Sequence, residues 1–229
     1  MRVASFESKG VLIYNEDKWS ILKEKREKAS VIMRSLQDVG LPCVVYGSVA
    51  RGDVKEDSDI DIFVPLNVPS YKIELALEKF EVLEKKIVQA TPNYAIKGEF
   101  VLSDEVTVSF PLVKMKDREI EFYRFGGCLD FEGILRNERV AGVDKRLVLI
   151  LPISEGHVEV PLSDVHPSEV AKILGISVET VQERIRVLTR RKEVGRTGLF
   201  LSETIPIEDS FESALLDIAT KNPAIRRRI

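Results

Sequence analysis

The stretch that most constrains the fold runs from Cys43 to Val64 and reads CVVYGSVARGDVKEDSDIDIFV. An apolar, β-branched run from Cys43 to Tyr46 predicts a strand ending at Gly47-Ser48. A short helix-compatible segment and a polar turn follow, and Ile60 to Val64 predicts a second strand. Strand, glycine turn and helix start make an anion site, because the first helical turn leaves backbone N–H groups unpaired at the positive end of its dipole. Gly47 permits close backbone approach and Ser48 adds a hydroxyl donor, so phosphate is the natural guest. The second half supplies the opposite charge: Asp59 and Asp61 alternate with Ile60, Ile62 and Val64, which on a strand sends both carboxylates to one face. Mg2+ takes oxygen ligands and commonly combines one or two carboxylates with substrate phosphates, so a phosphate cradle facing an Asp pair points to a metal–nucleotide site. A solvated strand edge would explain Asp-x-Asp alone, but not the Gly-Ser turn upstream of it. Asp53, Glu56 and Asp57 lie in the turn and read as solvated.

These residues resemble the signature of the DNA polymerase beta-like nucleotidyltransferase superfamily, in which Gly-Ser is followed, after a short spacer, by Asp-x-Asp. Ala50-Arg51-Gly52 and Ser58-Asp59 extend the likeness to its minimal, archaeal-type members. The resemblance implies that Gly47 and Ser48 hold a nucleoside triphosphate, that Asp59 and Asp61 ligate two Mg2+ ions, and that Arg51 steadies phosphate. Two metals held by two carboxylates leave the attacking hydroxyl without a base, so another acid is expected on a neighbouring strand. The segment VSFPLVKMKDREIEFYRF resembles the strand pair of archaeal CCA-adding enzymes whose second strand carries Glu-x-Asp, and Glu121 falls at the position of that Asp. Glu121 is therefore the expected third catalytic and metal-ligating residue, one methylene longer than the pattern, with Glu119 as second choice. The competing reading pairs both acids with Arg118 or Arg124 on an exposed strand.

Along the chain, residues 2–14 read as a strand or hairpin about Gly10, and Glu16 to Asp38 as an amphipathic helix with Trp19, Ile21, Leu22, Ile32, Met33 and Leu36 on its apolar side. Its mixed-sign run Lys23 to Lys28 reads as a solvated face. Ser70 to Gln89 repeats the helical pattern, while Tyr94 to Leu102, Glu105 to Val113 and Arg118 to Phe125 alternate as strands. Leu129 to Asn137 reads as a short helix and Arg146 to Pro152 as a buried strand. His157 and His166 lack the company of a zinc site and read as structural or exposed. Cys43 and Cys128 give no disulfide framework and fit a reducing cytosol. No apolar run is long enough to span a bilayer, so a soluble, cytoplasmic protein is expected.

From Pro167 the character changes. Ser168 to Gly175, a turn at Ile176-Ser177 and Val178 to Arg190 carry a helix-turn-helix signature: Ala171 is small where helices would cross, Gly175 permits the turn, Ser177 can cap the second helix, and Val181, Ile185 and Leu188 face the first. The segment resembles the winged helix-turn-helix family, with VGRTGLFLS as its wing hairpin. Arg184, Arg186, Arg190, Arg191 and Arg196 are then candidate nucleic-acid contacts, although Glu179 and Glu183 would repel phosphate and such modules also serve packing or dimerisation. Net charge is −3, so any basic surface must be local. Glu208 to Thr220 reads as a final amphipathic helix, followed by the basic tail Arg226-Arg227-Arg228.

The expected architecture is an α/β (α+β) nucleotidyltransferase core with a mixed sheet over residues 1–155, followed by a winged helix-turn-helix domain over 163–229. The expected function is Mg2+-dependent transfer of a nucleoside monophosphate from an NTP to a hydroxyl of a nucleic acid (DNA, tRNA or other RNA), protein or small molecule. No membrane partner is expected, and a homodimer is compatible with the second domain. The alternative is a transcriptional regulator whose nucleotidyltransferase fold senses nucleotide without catalysing, a reading that draws on the departure at Glu121.

Overall fold

The computed structural model describes residues 10–103, 105–195 and 198–229. Val11–Ile13 forms β1, and the earlier part of the expected N-terminal hairpin lies outside the described residues. Glu16–Asp38 forms α1, whose N-terminus is capped by Asn15 accepting from the Lys18 N–H, and Gly40 ends it with a left-handed φ of 76°. Val44–Tyr46 is β2, Ser48–Arg51 the short α2 and Ile60–Phe63 β3. Ser70–Leu77 (α3), Val82–Gln89 (β4), Lys97–Leu102 (β5) and Val106–Pro111 (β6) follow. Asp117–Phe125 is α4, Cys128–Asp130 β7 and Phe131–Leu135 α5. Gly142–Val143 (β8), Val148–Ile153 (β9) and Gly156–Pro161 (β10) precede the helix pair Pro167–Leu174 (α6) and Val178–Val194 (α7). Leu201–Ile205 (β11), Phe211–Lys221 (α8) and Pro223–Arg226 (α9) end the chain.

Seven strands form one sheet in the order β11-β4-β5-β6-β3-β2-β7, and four more form a small sheet in the order β1-β10-β9-β8. In the large sheet β3 and β6 are parallel and every other neighbouring pair is antiparallel, so the expected mixed sheet is observed. One face of that sheet, through Val45, Ile62, Val108 and Phe100, shares a core with Leu22, Met33 and Leu36 of α1, Ile73 and Leu77 of α3, and Phe211 of α8. A second core joins Leu149 and Val160 of the small sheet to Phe125 of α4, Val170 and Ala171 of α6, and Val181 of α7. Among the described residues no helix is long and apolar enough to cross a membrane.

The structure corrects several sequence expectations. The helix drawn over Ser70 to Gln89 ends at Leu77, and Val82–Gln89 is a strand. Its inward face carries Lys85 and Gln89 beside Ile87, and these buried polar residues mask the alternation that marks a strand. The Lys85 ammonium is satisfied by Glu74 and by the carbonyls of Ile207 and Asp209, and it lies near the Phe100 and Phe211 rings. In α1, Lys23–Glu27 and Glu24–Lys28 form the expected local pairs, but Arg26 is buried and donates to the carbonyls of Val49 and Ala50, tying α1 to α2.

The C-terminal segment divides between the two cores: α6 and α7 pack with the small sheet, and β11 and α8 with the large one. The two expected helices are present as α6 and α7, with Gly175 at a left-handed φ of 64° and Ser177 capping α7 by accepting from the Thr180 N–H. No wing hairpin follows among the described residues. Instead β11 pairs antiparallel with β4, from Leu201 opposite Gln89 to Ile205 opposite Lys85, and α8 seals the main core. The β4 edge offers unpaired backbone groups and the Phe100–Phe110 surface needs cover, so the segment that resembles a wing completes the large sheet.

Candidate functional site

Asp59 stands immediately before β3 and Asp61 within it, and the alternation of exposed Asp59, buried Ile60, half-buried Asp61 and buried Ile62 puts both carboxylates on the sheet face away from α1. Cross-strand register defines their neighbours. Asp61 lies opposite Tyr46 of β2 on one side and Thr107 of β6 on the other, and Ser109, two residues along β6, lies opposite Glu99 of β5. Tyr46, Asp61, Thr107, Ser109 and Glu99 therefore share one face, and the strand between the two acids presents only small hydroxyl side chains there. Burial pushes the Asp61 carboxyl up to about 6, helped by the negative charges of Asp59 and Glu99 and opposed by Lys97 and Lys145. Burial likewise raises the Tyr46 hydroxyl well above its ordinary value, with Asp61 adding to it. Tyr123 of α4 roofs this region, stacked on Phe63 at a 3.7 Å centroid distance and edge-on to Tyr46.

The Gly47-Ser48 turn opens at the end of β2, beside this face. Gly47 holds φ 79° and ψ −144°, a conformation that any side chain would strain, and its N–H donates to the Gly127 carbonyl at 2.9 Å. The Arg51 and Gly52 amides close α2 onto the Gly47 and Ser48 carbonyls, so the N–H groups of residues 48–50 are the ones left without helical partners. Arg51, expected to steady phosphate, is committed elsewhere. Its buried guanidinium grips Asp53 through both carboxylate oxygens and donates to the Gly126 carbonyl. Asp53 is thus a half-buried ion-pair partner and not a solvated turn acid, whereas Glu56 and Asp57 are exposed as expected.

Glu121 is not on a strand beside the aspartates. Residues 117–125 form α4, initiated by Glu119, whose carboxylate accepts from the Lys116 and Ala95 N–H groups and pairs with Arg228. On the other side of α4, Glu121 accepts from the Ser177 N–H and hydroxyl and from the Thr180 hydroxyl at the start of α7. Burial alone would raise the Glu121 carboxyl, but these hydrogen bonds outweigh it and hold it below the usual carboxylate range. Glu121 is therefore a tie between α4 and α7, and Glu99 is the strand acid that reaches Asp61 electrostatically. Glu121→Ala is expected to cost about 1–3 kcal/mol of stability through the unpaired groups left at the head of α7. Divalent-cation affinity should be unchanged in that variant, which thermal melts and calorimetric titration of Mn2+ would check.

The basic candidates also separate. Arg184 packs over the Phe122 ring at 4.7 Å and burial lowers its pKa, while Tyr94 donates its hydroxyl to Glu183. That side of α7 is an internal contact with α4 and the 94 loop and is not free for a ligand. Arg186, Arg190 and Arg191 are exposed, and Arg196 lies outside the described residues. His157 is buried, its Nδ1 2.6 Å from the Tyr14 hydroxyl, and His166 caps α6, so both histidines have structural positions. The hydroxyl-lined face and Glu99 were missed in the sequence because only the pairing of β5, β6 and β3 brings them together.

Among the described residues no group of three or more His, Cys, Asp or Glu side chains is arranged to hold a metal ion by itself. No curated protein and no solved structure matches the chain. The Gly-Ser turn, the Asp pair and the strand bearing Glu99 do lie inside a recognisable segment: residues 19–124, a little under half of the 229-residue chain, match the family model described as a nucleotidyltransferase domain, which supports the nucleotidyltransferase superfamily for that part of the protein.

Proposed function

We propose that this protein is a Mg2+-dependent nucleotidyltransferase that moves a nucleoside monophosphate from an NTP to an acceptor hydroxyl and releases pyrophosphate. The observation that carries this reading is the Asp59–Asp61 pair at the end of β3, set beside the glycine turn that ends β2, within the segment that matches the family model. The donor set fits a hard divalent cation: two carboxylates share a face with Glu99 near enough to bias Asp61, a surplus of negative charge that such an ion would neutralise. Asp59 and Asp61 are the residues that would hold the metal. When bound, Mg2+ supplies charge neutralisation at the phosphates and favours ionisation of a hydroxyl. The Ser48 hydroxyl and the amides at the start of α2 orient the phosphates. The acceptor oxygen bonds to the α-phosphorus as the bond to the bridging oxygen breaks, and Glu99 is the carboxylate available to take the hydroxyl proton.

The acceptor is proposed to be a nucleic-acid end, with Arg186, Arg190 and Arg191 of α7 offering the exposed positive charge, or else a protein or small-molecule hydroxyl. The regulator reading drew on the departure at Glu121; Glu99, which shares the face of Asp61, is the acid that the enzyme reading uses in its place. The test offers each of the four NTPs with Mg2+ to tRNA, single-stranded RNA, DNA and the protein itself, reading label transfer and pyrophosphate release against an Asp59→Asn, Asp61→Asn control. Transfer lost in the control supports the enzyme. NTP binding without transfer to any acceptor would put the regulator reading ahead of the enzyme.

Metal binding should depend on pH. Ligating carboxylates must be ionised, so with Asp61 near 6 the affinity for Mn2+ is expected to be flat above pH 7 and about tenfold weaker at pH 5. Titration calorimetry at the two pH values reads this directly.

A further inference from the structure

The glycine turn and the aspartate pair come from different strands, and the pairing between those strands is short. β2 meets β3 at three positions, Val44 with Phe63, Val45 with Ile62 and Tyr46 with Asp61, and Gly47 follows directly. α2 is a single turn of four residues, too short to hold the corner by itself. The spacing between a phosphate at Ser48 and a metal at Asp61 therefore depends on what braces the two strands from outside the sheet. That brace is the C-terminal half of α4. The buried Tyr123 ring meets one side chain from each strand: it lies flat on Phe63, with centroids 3.7 Å apart and planes 9° apart, and stands edge-on to Tyr46 at 4.9 Å and 89°. Phe63 is two residues beyond Asp61 on the same face of β3, and Tyr46 is both the partner of Asp61 and the last residue before Gly47.

The same segment grips the turn a second time. Four residues after Tyr123 the Gly127 carbonyl accepts the Gly47 N–H at 2.9 Å, and the Gly126 carbonyl accepts the Arg51 guanidinium. A Cβ added to Gly142 would lie 2.6 Å from the Gly126 carbonyl oxygen and the Gly127 nitrogen, so β8 backs this turn directly. Residues 123–127 thus hold the aspartate strand through Phe63 and the phosphate turn through Tyr46, Gly47 and Arg51. Packed aromatic pairs fix orientation as well as distance, because close-packed rings have little room to slide. We propose that Tyr123 is a positioning residue for nucleotidyl transfer, holding the Gly47-Ser48 turn in register with Asp61 so that phosphate and metal are engaged together. The inference rests on the function proposed above. Asp59 and Asp61 lie side by side at one strand, so a metal alone should bind as well without the brace, whereas a ligand that bridges the metal and the turn should not.

The test compares wild type, Tyr123→Leu, Tyr123→Phe and Phe125→Leu in the full chain, reading calorimetric affinity for Mn2+ alone and for Mg-NTP, the rate of label transfer, and the melting temperature. Phe125, two residues along α4, is buried in the second core and reports what losing a buried ring of this helix does by itself. Tyr123→Leu is expected to leave Mn2+ affinity unchanged, to weaken Mg-NTP about tenfold and to slow transfer by about tenfold to a hundredfold, as a displacement of about 1 Å between reacting groups does. Tyr123→Phe keeps the ring and should retain most of the affinity and rate, while Phe125→Leu should lower the melting temperature alone. If Tyr123→Leu does not fold, Phe63→Leu, which removes the other face of the stack, carries the same expectation. A Tyr123→Leu variant changed only in its melting, as Phe125→Leu is, overturns the proposal. Equal loss for Mn2+ and Mg-NTP also overturns it, since the aspartate pair itself would then have been disturbed. A wild type that binds no Mg-NTP overturns the nucleotide reading, and this inference with it.

Discussion

Asp61→Asn is expected to abolish nucleotidyl transfer and, in metal-free buffer at pH 7.5, to raise the melting temperature. The first effect follows from losing a carboxylate that would hold the metal, worth several kcal/mol of barrier and so on the order of a 1,000-fold loss or more. The second follows from the charge the fold tolerates. Burial, Asp59 and Glu99 place the Asp61 carboxyl near 6, above its ordinary range of about 4. A carboxyl whose folded value is raised binds its proton more tightly when folded. It costs nothing below the unfolded value, and the penalty grows as pH rises through the window from about 4 to 6 and is complete at neutrality. An uncharged amide of the same shape removes that penalty, for a gain of roughly 1–2 kcal/mol, or about 2–8 °C in a chain of this size. Divalent cation should reverse the ranking, stabilising the wild type by mass action and leaving the variant where it was. A variant less stable than wild type without metal would mean that Asp61 is held by favourable contacts, and the strained-site account would fail.

Phe211→Ala is expected to cost about 3–5 kcal/mol, a large share of the stability of an ordinary domain. Phe211 is fully buried and meets Phe100 edge-on at 5.0 Å and Phe110 at 5.1 Å, and Lys85 reaches over its ring. Gly98 has no side chain because a Cβ there would fall within 3 Å of Phe110 and Phe211. A packed aromatic of this kind cannot collapse into a smaller hole, so the cavity adds to the lost burial. Chemical denaturation of the variant measures the loss. If the C-terminal segment were an independent module, the same substitution would leave the melting of the nucleotidyltransferase segment untouched.

Features set by neighbours in the chain were legible in the sequence. α1 runs from Glu16 to Asp38 as its apolar spacing predicts, because Asn15 and Gly40 bracket it. The Gly47-Ser48 turn and the Asp59–Asp61 alternation could be read for the same reason. Residues 118–125 were misread because Ile120 and Phe122 alternating with Glu119 and Glu121 imitate a strand, while the deciding contacts, Glu119 to Ala95 and Glu121 to Ser177, are distant in the chain. Glu99 carries no local mark at all. It is brought to the face of Asp61 by two strand pairings, and these leave neither a period nor a motif.

The strand pairings that join the ends of the chain to its middle also govern when the fold can exist. β1 waits for β10, with Val11 opposite Val158, and the β4 edge waits for β11, with Gln89 opposite Leu201. Contacts of such long sequence separation are slow to form, because the loop between the partners must be closed before either is rewarded. During synthesis, at about 5–20 residues per second, the aspartates and the glycine turn therefore emerge well before the strand that covers their sheet. For that interval β4 presents an open edge beside exposed Phe100 and Phe110, so this protein's period of greatest aggregation risk comes before β11 and α8 are made.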